Sequence, residues 1–313
     1  MNQPDLKALQ GVVRLADWGL MRAQGADAAS FLHGQLTQDM QQLDARSARL
    51  AGYCTAKGRL LASLLVWRGG SDEILLACSA DVLPATLKRL SMYVLRAKCQ
   101  LSDTSESLAL YGLAGPAATA WLGTQAPAAV WQCSAAAGGQ AIRLPDAAGL
   151  LRYLVVAASD GPAPALPALP TEAWAWLEVM SGVPRIVAAT VEQFVPQMVN
   201  FELIGGVNFQ KGCYPGQEIV ARSQYRGSAK RRAFVFEVDA PAQPGQEVFH
   251  SADAEQPAGM VVNAAAWAGS QRALVEVKLA ALEAGSLHLG AAGGPPLRRL
   301  AEQPYPVPIE AAA

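Results

Sequence analysis

Two strand-like runs, "ARLAGYCTA" and "RLLASLLVW", meet at Lys57-Gly58 with almost nothing between them, and this junction limits the fold more than any other stretch of the chain. A connection so short closes an antiparallel hairpin. It cannot hold the dozen or more residues that a parallel crossover needs. The flanking segments agree. "VVRLADWGLMRA" reads as a strand, and "ADAASFLHGQLTQDM" as a helix with Ala29, Leu32, Leu36 and Met40 at helical spacing. After the hairpin come a third strand, "EILLACS", and a helix near 81–96 with Val82, Leu83, Leu87, Leu90 and Val94 along one side. "KCQLSD" then returns as a strand. The class is α+β with antiparallel sheet.

From about residue 107 the same order recurs: "SLALYGLAG" as a strand, "GPAATAWLG" as a helix start with Pro116 early in it, then strands "AVWQC", "QAIRLP" and "LLRYLVVAA". The repeat is one of topology, not of sequence. Residues 160–170, "DGPAPALPALP", hold four prolines and read as a surface connection. A helix follows, capped by Thr171 and running to Gly182 and Pro184. Short strands "AFVFEV", "GMVVNAAAW" and "RALVEVKLA" close the chain as a small β-barrel. The expected division is a first α+β domain over 1–104, a second over 105–228 that includes a cysteine-bearing loop, and a barrel over 229–313. Segments of the first two are free to interleave.

With 51% hydrophobic and 16% charged residues among 313, the chain can fill a sizeable core. Lys plus Arg number 25 against 26 Asp plus Glu, so a net charge of −1 gives no overall attraction to nucleic acid or to a membrane. No apolar run approaches the roughly 20 residues of a membrane span, and the amino terminus lacks the apolar core of a secretory signal. A cytosolic protein with no membrane partner is expected. The five cysteines, Cys54, Cys78, Cys99, Cys133 and Cys213, are widely spaced with no Cys-x-x-Cys pair, which argues against a disulfide framework and against a metal site.

Four of these cysteines sit in strand-like apolar runs. Cys213 lies instead in "KGCYPGQEIVAR". Pro215 and Gly216 meet the demands of a type II turn, with φ near −65° and then positive φ. Gly212 allows another backbone or a ligand to come close. Lys211, and Arg222 if it folds back, would favour the thiolate needed for nucleophilic attack, metal ligation or thiol exchange. Gln217 and Glu218 complete the motif. Upstream, "FVPQMVNFELIGGVNFQ" looks like an extended arm with tight turns, of the kind that lines a cleft. Downstream, Arg222, Arg226, Lys230, Arg231 and Arg232 with Tyr225 form either a solvated turn face or a patch for phosphates or the carboxylates of a polyglutamate tail. His33, His250 and His288 are isolated in sequence, and His33 is expected to be satisfied by backbone near a helix end.

The stretch from Pro196 to Arg232, with "FLHGQLTQD" and "YCTAKGRLL", resembles the YgfZ family of folate-binding proteins, relatives of the aminomethyltransferase (T-protein) of the glycine cleavage system. The likeness runs in order through nearly the whole chain. It implies two ferredoxin-like α+β parts and a carboxyl-terminal barrel arranged as a three-domain ring around a folate-sized opening. It also implies a tetrahydrofolate-dependent role in maintaining iron–sulfur enzymes, including those that modify tRNA. The family signature falls on Lys211, Gly212, Cys213, Tyr214, Gly216, Gln217 and Glu218. Its folate-linked aromatic positions correspond to Trp18 and Trp174, which by residue type alone are equally core filling or platforms for a flat ring. Cys213 is expected at the rim of the opening.

The chain departs from the T-protein in two places. Ala62 and Ser63 stand where that protein has an aspartate pair, and Met180 stands at the position of its pterin-contacting glutamate, with Glu178 half a turn away. Aminomethyl transfer is therefore not expected. Three functions remain: a tetrahydrofolate-binding factor that supports iron–sulfur proteins through Cys213 and Lys211, a folate-dependent one-carbon transferase or demethylase, and an RNA- or partner-binding regulatory module.

Overall fold

The computed structural model describes residues 6–136, 138–225 and 229–309. The chain opens with β1 (Gly11–Arg14), turns at Ala16-Asp17, and enters β2 (Trp18–Gln24). The single strand expected over this stretch is thus two, and they belong to different sheets. α1 (Ala28–Gln35), β3 (Ala48–Cys54), β4 (Leu60–Gly70), β5 (Glu73–Ser79), α2 (Leu83–Met92) and β6 (Gln100–Asp103) follow. The first sheet has the order β3-β4-β5-β2-β6 and every pairing in it is antiparallel. The β3–β4 hairpin turns at Gly58, whose φ of 71° lies in the left-handed region that glycine tolerates.

α1 is shorter than the periodicity of its segment predicts. Leu36 leaves the helix for a bridge to Tyr53, and Thr37 donates its backbone N–H to Gly52 O at 2.9 Å and its hydroxyl to Gly206 O at 2.6 Å. Tertiary hydrogen bonds replace the helical ones, while Leu36 and Met40 stay fully buried. α2 likewise stops at Met92, before the expected Val94.

β7 (Leu108–Ala114), α3 (Gly115–Leu122), β8 (Cys133–Ala136), β9 (Gly139–Ala147) and β10 (Leu150–Ala158) build the second sheet, in the order β1-β7-β10-β9-β8. The proline-rich segment is more than a surface connection. Pro167 O accepts from Val12 N at 2.9 Å and Leu169 N donates to Val12 O at 2.8 Å, so this stretch pairs with β1 and Leu169 is buried. α4 (Thr171–Met180) starts with Pro170 at the N-cap position and no side-chain cap, so Thr171 is the first helical residue and not the cap.

The arm from Pro196 to Gly206 contains no strand and consists of tight turns, with Asn200 left-handed at φ 59°. α5 (Gln217–Tyr225) follows the cysteine loop, where a solvated turn face or a basic patch was expected and no helix. β11 (Arg231–Val238), β12 (Glu247–His250), β13 (Asp253–Trp267), β14 (Ser270–Lys278), β15 (Leu287–Leu289) and β16 (Pro296–Arg299) form a closed barrel in the order β11-β14-β13-β12-β15-β16. The fold is α+β, with two ferredoxin-like antiparallel sheets and a six-stranded barrel. Closure leaves the barrel no free edge.

Candidate functional site

Two places carry chemistry, and they are distinct. The first is a cavity where the three parts of the fold converge. β2 supplies Trp18, β4 supplies Ser63, β10 supplies Arg152, α4 supplies Glu178, and β13 supplies Asn263, with Arg185 from the loop after α4. Leu50, Leu65, Trp131 and Val183 make much of the rest of the wall apolar. The volume is about 120 Å³, small beside the several hundred Å³ of a drug-sized site. It suits one flat ring system, with the remainder of a ligand outside the mouth.

The polar groups of this cavity form a chain. Trp18 Nε1 donates to Glu178 Oε1 at 3.0 Å, and Arg185 lies 3.5 Å from Glu178 Oε2. Arg185 is also held by Asp17 Oδ2 at 2.6 Å, and its guanidinium sits 5.1 Å above the Trp18 ring. Burial pushes the Glu178 carboxyl above its ordinary range, against the opposing pull of Arg185. Such a carboxylate is costly to leave charged and gains from a ligand that offers it N–H donors.

Pleat alternation decides which residue of "GRLLASLLV" matters here. Ala62 faces the core beneath α1 and α2, while Ser63 lines the cavity and its hydroxyl accepts from Ile186 N at 2.9 Å. On α4 the same logic separates neighbours. Glu178 reaches the cavity, whereas Met180, which the T-protein comparison places at the glutamate position, lines a different depression together with Trp176. Trp174 does not line the cavity. It is 2% exposed, packs on Gly112, and carries the Arg152 guanidinium 5.2 Å above its ring. Its place is behind a wall residue rather than in the wall.

The second place is the cysteine loop. Gly216 has φ 83° and Gln217 N donates to Tyr214 O at 3.2 Å, which closes the turn that the Pro-Gly pair predicts. α5 then begins at once, with Val220 N bonded to Gly216 O at 3.2 Å. Gly216 packs so tightly on the β3–β4 hairpin that a Cβ there would lie 2.4 Å from Thr55 O. Gly212 faces His33, whose Nε2 would be 3.3 Å from an added Cβ. Cys213 is exposed, and among the described residues it is the only free cysteine that is. Cys54, Cys78 and Cys133 are buried, and burial pushes each thiol up to about 12.

Lys211 runs inward from this loop. Its ammonium donates to Leu36 O at 2.8 Å and to His33 O, and lies 4.8 Å from the Tyr214 ring centroid. Burial pushes it down to about 8, with Asp39 and Cys213 pulling the other way. His33 is held by a side chain where a backbone partner was expected: Nδ1 lies 3.1 Å from Asp39 Oδ1. Arg222 does not fold back to the thiol. It sits 3.4 Å from Glu218, one turn away on the exposed face of α5. The basic patch is largely spent as well, since Arg231 pairs with Glu276 and Arg232 with Glu202, while Arg226 lies outside the described residues.

No residue from Lys211 to Glu218 lines the cavity, so the expected placement of Cys213 at its rim is not what the fold gives. Sequence reasoning missed Arg152, Arg185, Trp131 and Asn263 because they come from separate elements with no shared motif. Glu178 left one trace, its place half a turn from Met180, the position of the T-protein's pterin-contacting glutamate. Among the described residues no cluster of His, Cys, Asp or Glu could hold a metal ion, and no helix is long and apolar enough to cross a membrane.

Residues 6–140 match the family model of the GCVT N-terminal domain. The tRNA-modifying protein YgfZ of Edwardsiella ictaluri (strain 93-146) is 34% identical over 247 residues, covering 71% of this chain and 70% of that protein. Its counterpart in Serratia proteamaculans (strain 568) is 32% identical over 243 residues, covering 74% and 72%. The crystal structure of glycine cleavage system aminomethyltransferase T from Bartonella henselae superposes with a TM-score of 0.71 over 96% of this chain and 88% of that one, at 16% identity. At that identity the likeness is one of fold.

Proposed function

The chain belongs to the YgfZ family, and from that premise we propose that it binds a reduced folate through the pterin ring in the central cavity and supports iron–sulfur enzymes, among them tRNA-modifying ones, through Cys213. The carrying observation is the Trp18–Glu178–Arg185 cluster in an otherwise apolar cavity. A carboxylate bounded by an indole and a guanidinium fits the N–H-rich edge of a pterin. The apolar walls fit the faces of its ring. Glu178 and Ser63 would hold the polar edge, Arg152 would meet the carbonyl side, and Trp18 would keep Glu178 aimed.

When bound, a reduced folate supplies a one-carbon carrier or an oxidisable ring. The protein's own contribution is a water-poor site for that ring and, elsewhere, an open thiol on a rigid loop. The transferase reading loses support from the interior position of Ala62. The RNA-patch reading loses it from the pairing of Arg231 and Arg232.

Titrating tetrahydrofolate while following tryptophan fluorescence tests the binding half. Wild type should quench saturably, Trp18→Phe should lose part of the signal with Trp131 left to report, and Glu178→Gln should bind about tenfold more weakly, the order expected for a hydrogen bond to a charged group. Equal quenching in all three would retire the cavity as the folate site. For the second half, Cys213→Ser should keep its folate affinity and its urea midpoint, yet fail to restore iron–sulfur enzyme activity in cells lacking the protein.

A further inference from the structure

The end of α2 and the turns that follow it are largely exposed. Residues 82–99, "VLPATLKRLSMYVLRAKC", contain Lys88, Arg89, Arg96 and Lys98 and no acidic residue, in a chain whose net charge is −1. Among the described residues none of these four cations is held in an ion pair. Apolar side chains are interleaved with them. Met92 is 59% exposed, Tyr93 47% and Leu95 86%. Leu95 also has φ 46°, a left-handed conformation that costs a leucine of order 1–3 kcal/mol.

Beside this face runs a groove of about 510 Å³ between α2 and the segment Ala188–Val191, floored by Tyr53, Leu61 and Val82. Lys88 and Arg89 stand on its rim, and the Arg89 Nε–H is buried without a hydrogen-bond partner. One carboxylate, Asp81, also lines it and accepts from Ala188 N at 2.8 Å, and it is outnumbered there by Lys88 and Arg89. The unpartnered Arg89 Nε–H, cations outside any ion pair and an apolar floor together ask for an occupant that is both acidic and greasy.

We infer that this groove docks an acidic segment of a partner protein, one that sets a large apolar side chain beside its carboxylates. Charge complementarity selects the acidic partner. Within the groove the largely aliphatic floor selects a polypeptide over a nucleic acid, because Tyr53, the aromatic ring in it, is 1% exposed and offers no open face for a base, and the exposed Tyr93 lies outside the lining. The groove shares no lining residue with the central cavity and does not include Cys213, so its test is independent of folate binding.

The test uses three fluorescein-labelled 14-residue peptides at 0.15 M salt: Glu and Leu at helical spacing, the same with Leu replaced by Ser, and the same with Glu replaced by Lys. Fluorescence anisotropy with the full chain should show the Glu/Leu peptide binding at least tenfold more tightly than either control, and Lys88→Glu combined with Met92→Ser should reduce that affinity tenfold or more. Both positions are exposed, so the urea midpoint of the variant should match wild type, which separates loss of docking from loss of folding. Equal binding of the Ser peptide would reduce the surface to ion exchange and overturn the proposal. So would an undiminished affinity in the variant, no binding of the Glu/Leu peptide, or unmodified tRNA bound at this face in its place.

Discussion

Lys211 takes its ammonium into the protein, where it is 8% exposed and bonded to two carbonyl oxygens at the end of α1. Its folded value of about 8 lies below the ordinary 10.5. Below pH 8 both folded and unfolded forms carry the proton, and the cost of burying the cation is present in full. Between about 8 and 10.5 the folded form has released the proton and the unfolded form has not, so stability from this site rises with pH across that window. Lys211→Met should remove the rise. Urea midpoints at pH 7 to 10 should show wild type gaining on the variant above pH 8, and parallel curves would show that the ammonium bears no such cost. Glu178 runs oppositely. Its raised value keeps the proton on the folded form above the ordinary 4.5, so stability from this site falls as pH rises past 4.5; Glu178→Gln should lack that fall in thermal melts run from pH 4 to 7, and should bind tetrahydrofolate less well. Cys213 was legible as the one cysteine in polar, turn-forming company, and it is the exposed one. The importance of Glu178 was not legible, because its environment is made by Trp18 and Arg185, which are remote in sequence.

Among the elements, the cysteine loop shows how far local chemistry reaches. Pro215-Gly216 specifies its turn, and the turn forms, since φ of proline and the absence of a glycine Cβ act within a few residues. What the turn packs against was not readable. Gly216 lies against Thr55 and Gly58, so the loop and the hairpin meet glycine to glycine. Gly216→Ala would set a methyl group 2.4 Å from Thr55 O, in a backbone conformation that already disfavours alanine. We expect a loss of about 1–3 kcal/mol in urea denaturation and faster proteolysis at the loop; an unchanged midpoint would mean that the hairpin and loop are not docked. The shortened α1 carries the same lesson. Its periodicity continues to Met40, but Thr37 finds better partners in Gly52 and Gly206 than in the next helical turn.

At the scale of the molecule, the arm before the cysteine loop bolts the α+β parts to the barrel. Asn200 Nδ2 donates to Ala233 O at 2.6 Å, and Glu202 pairs with Arg232 with only 4% and 10% of their side chains exposed. Glu202→Ala strands a buried guanidinium and should cost about 3–5 kcal/mol in urea denaturation, whereas Glu202→Leu with Arg232→Met should recover much of it. If the single variant is neutral, the arm is not a structural bolt. Antiparallel pairing, the left-handed glycine turn, the barrel and the open cysteine were all determined by the sequence itself, because hairpin length, backbone sterics and pattern period operate over a handful of neighbouring residues. Which side chains face one another was decided only by tertiary structure. The cavity joins Trp18, Ser63, Arg152, Glu178 and Asn263 across three parts of the fold, and the desolvation that shifts Glu178 and Lys211 exists only once those distant segments have closed over them.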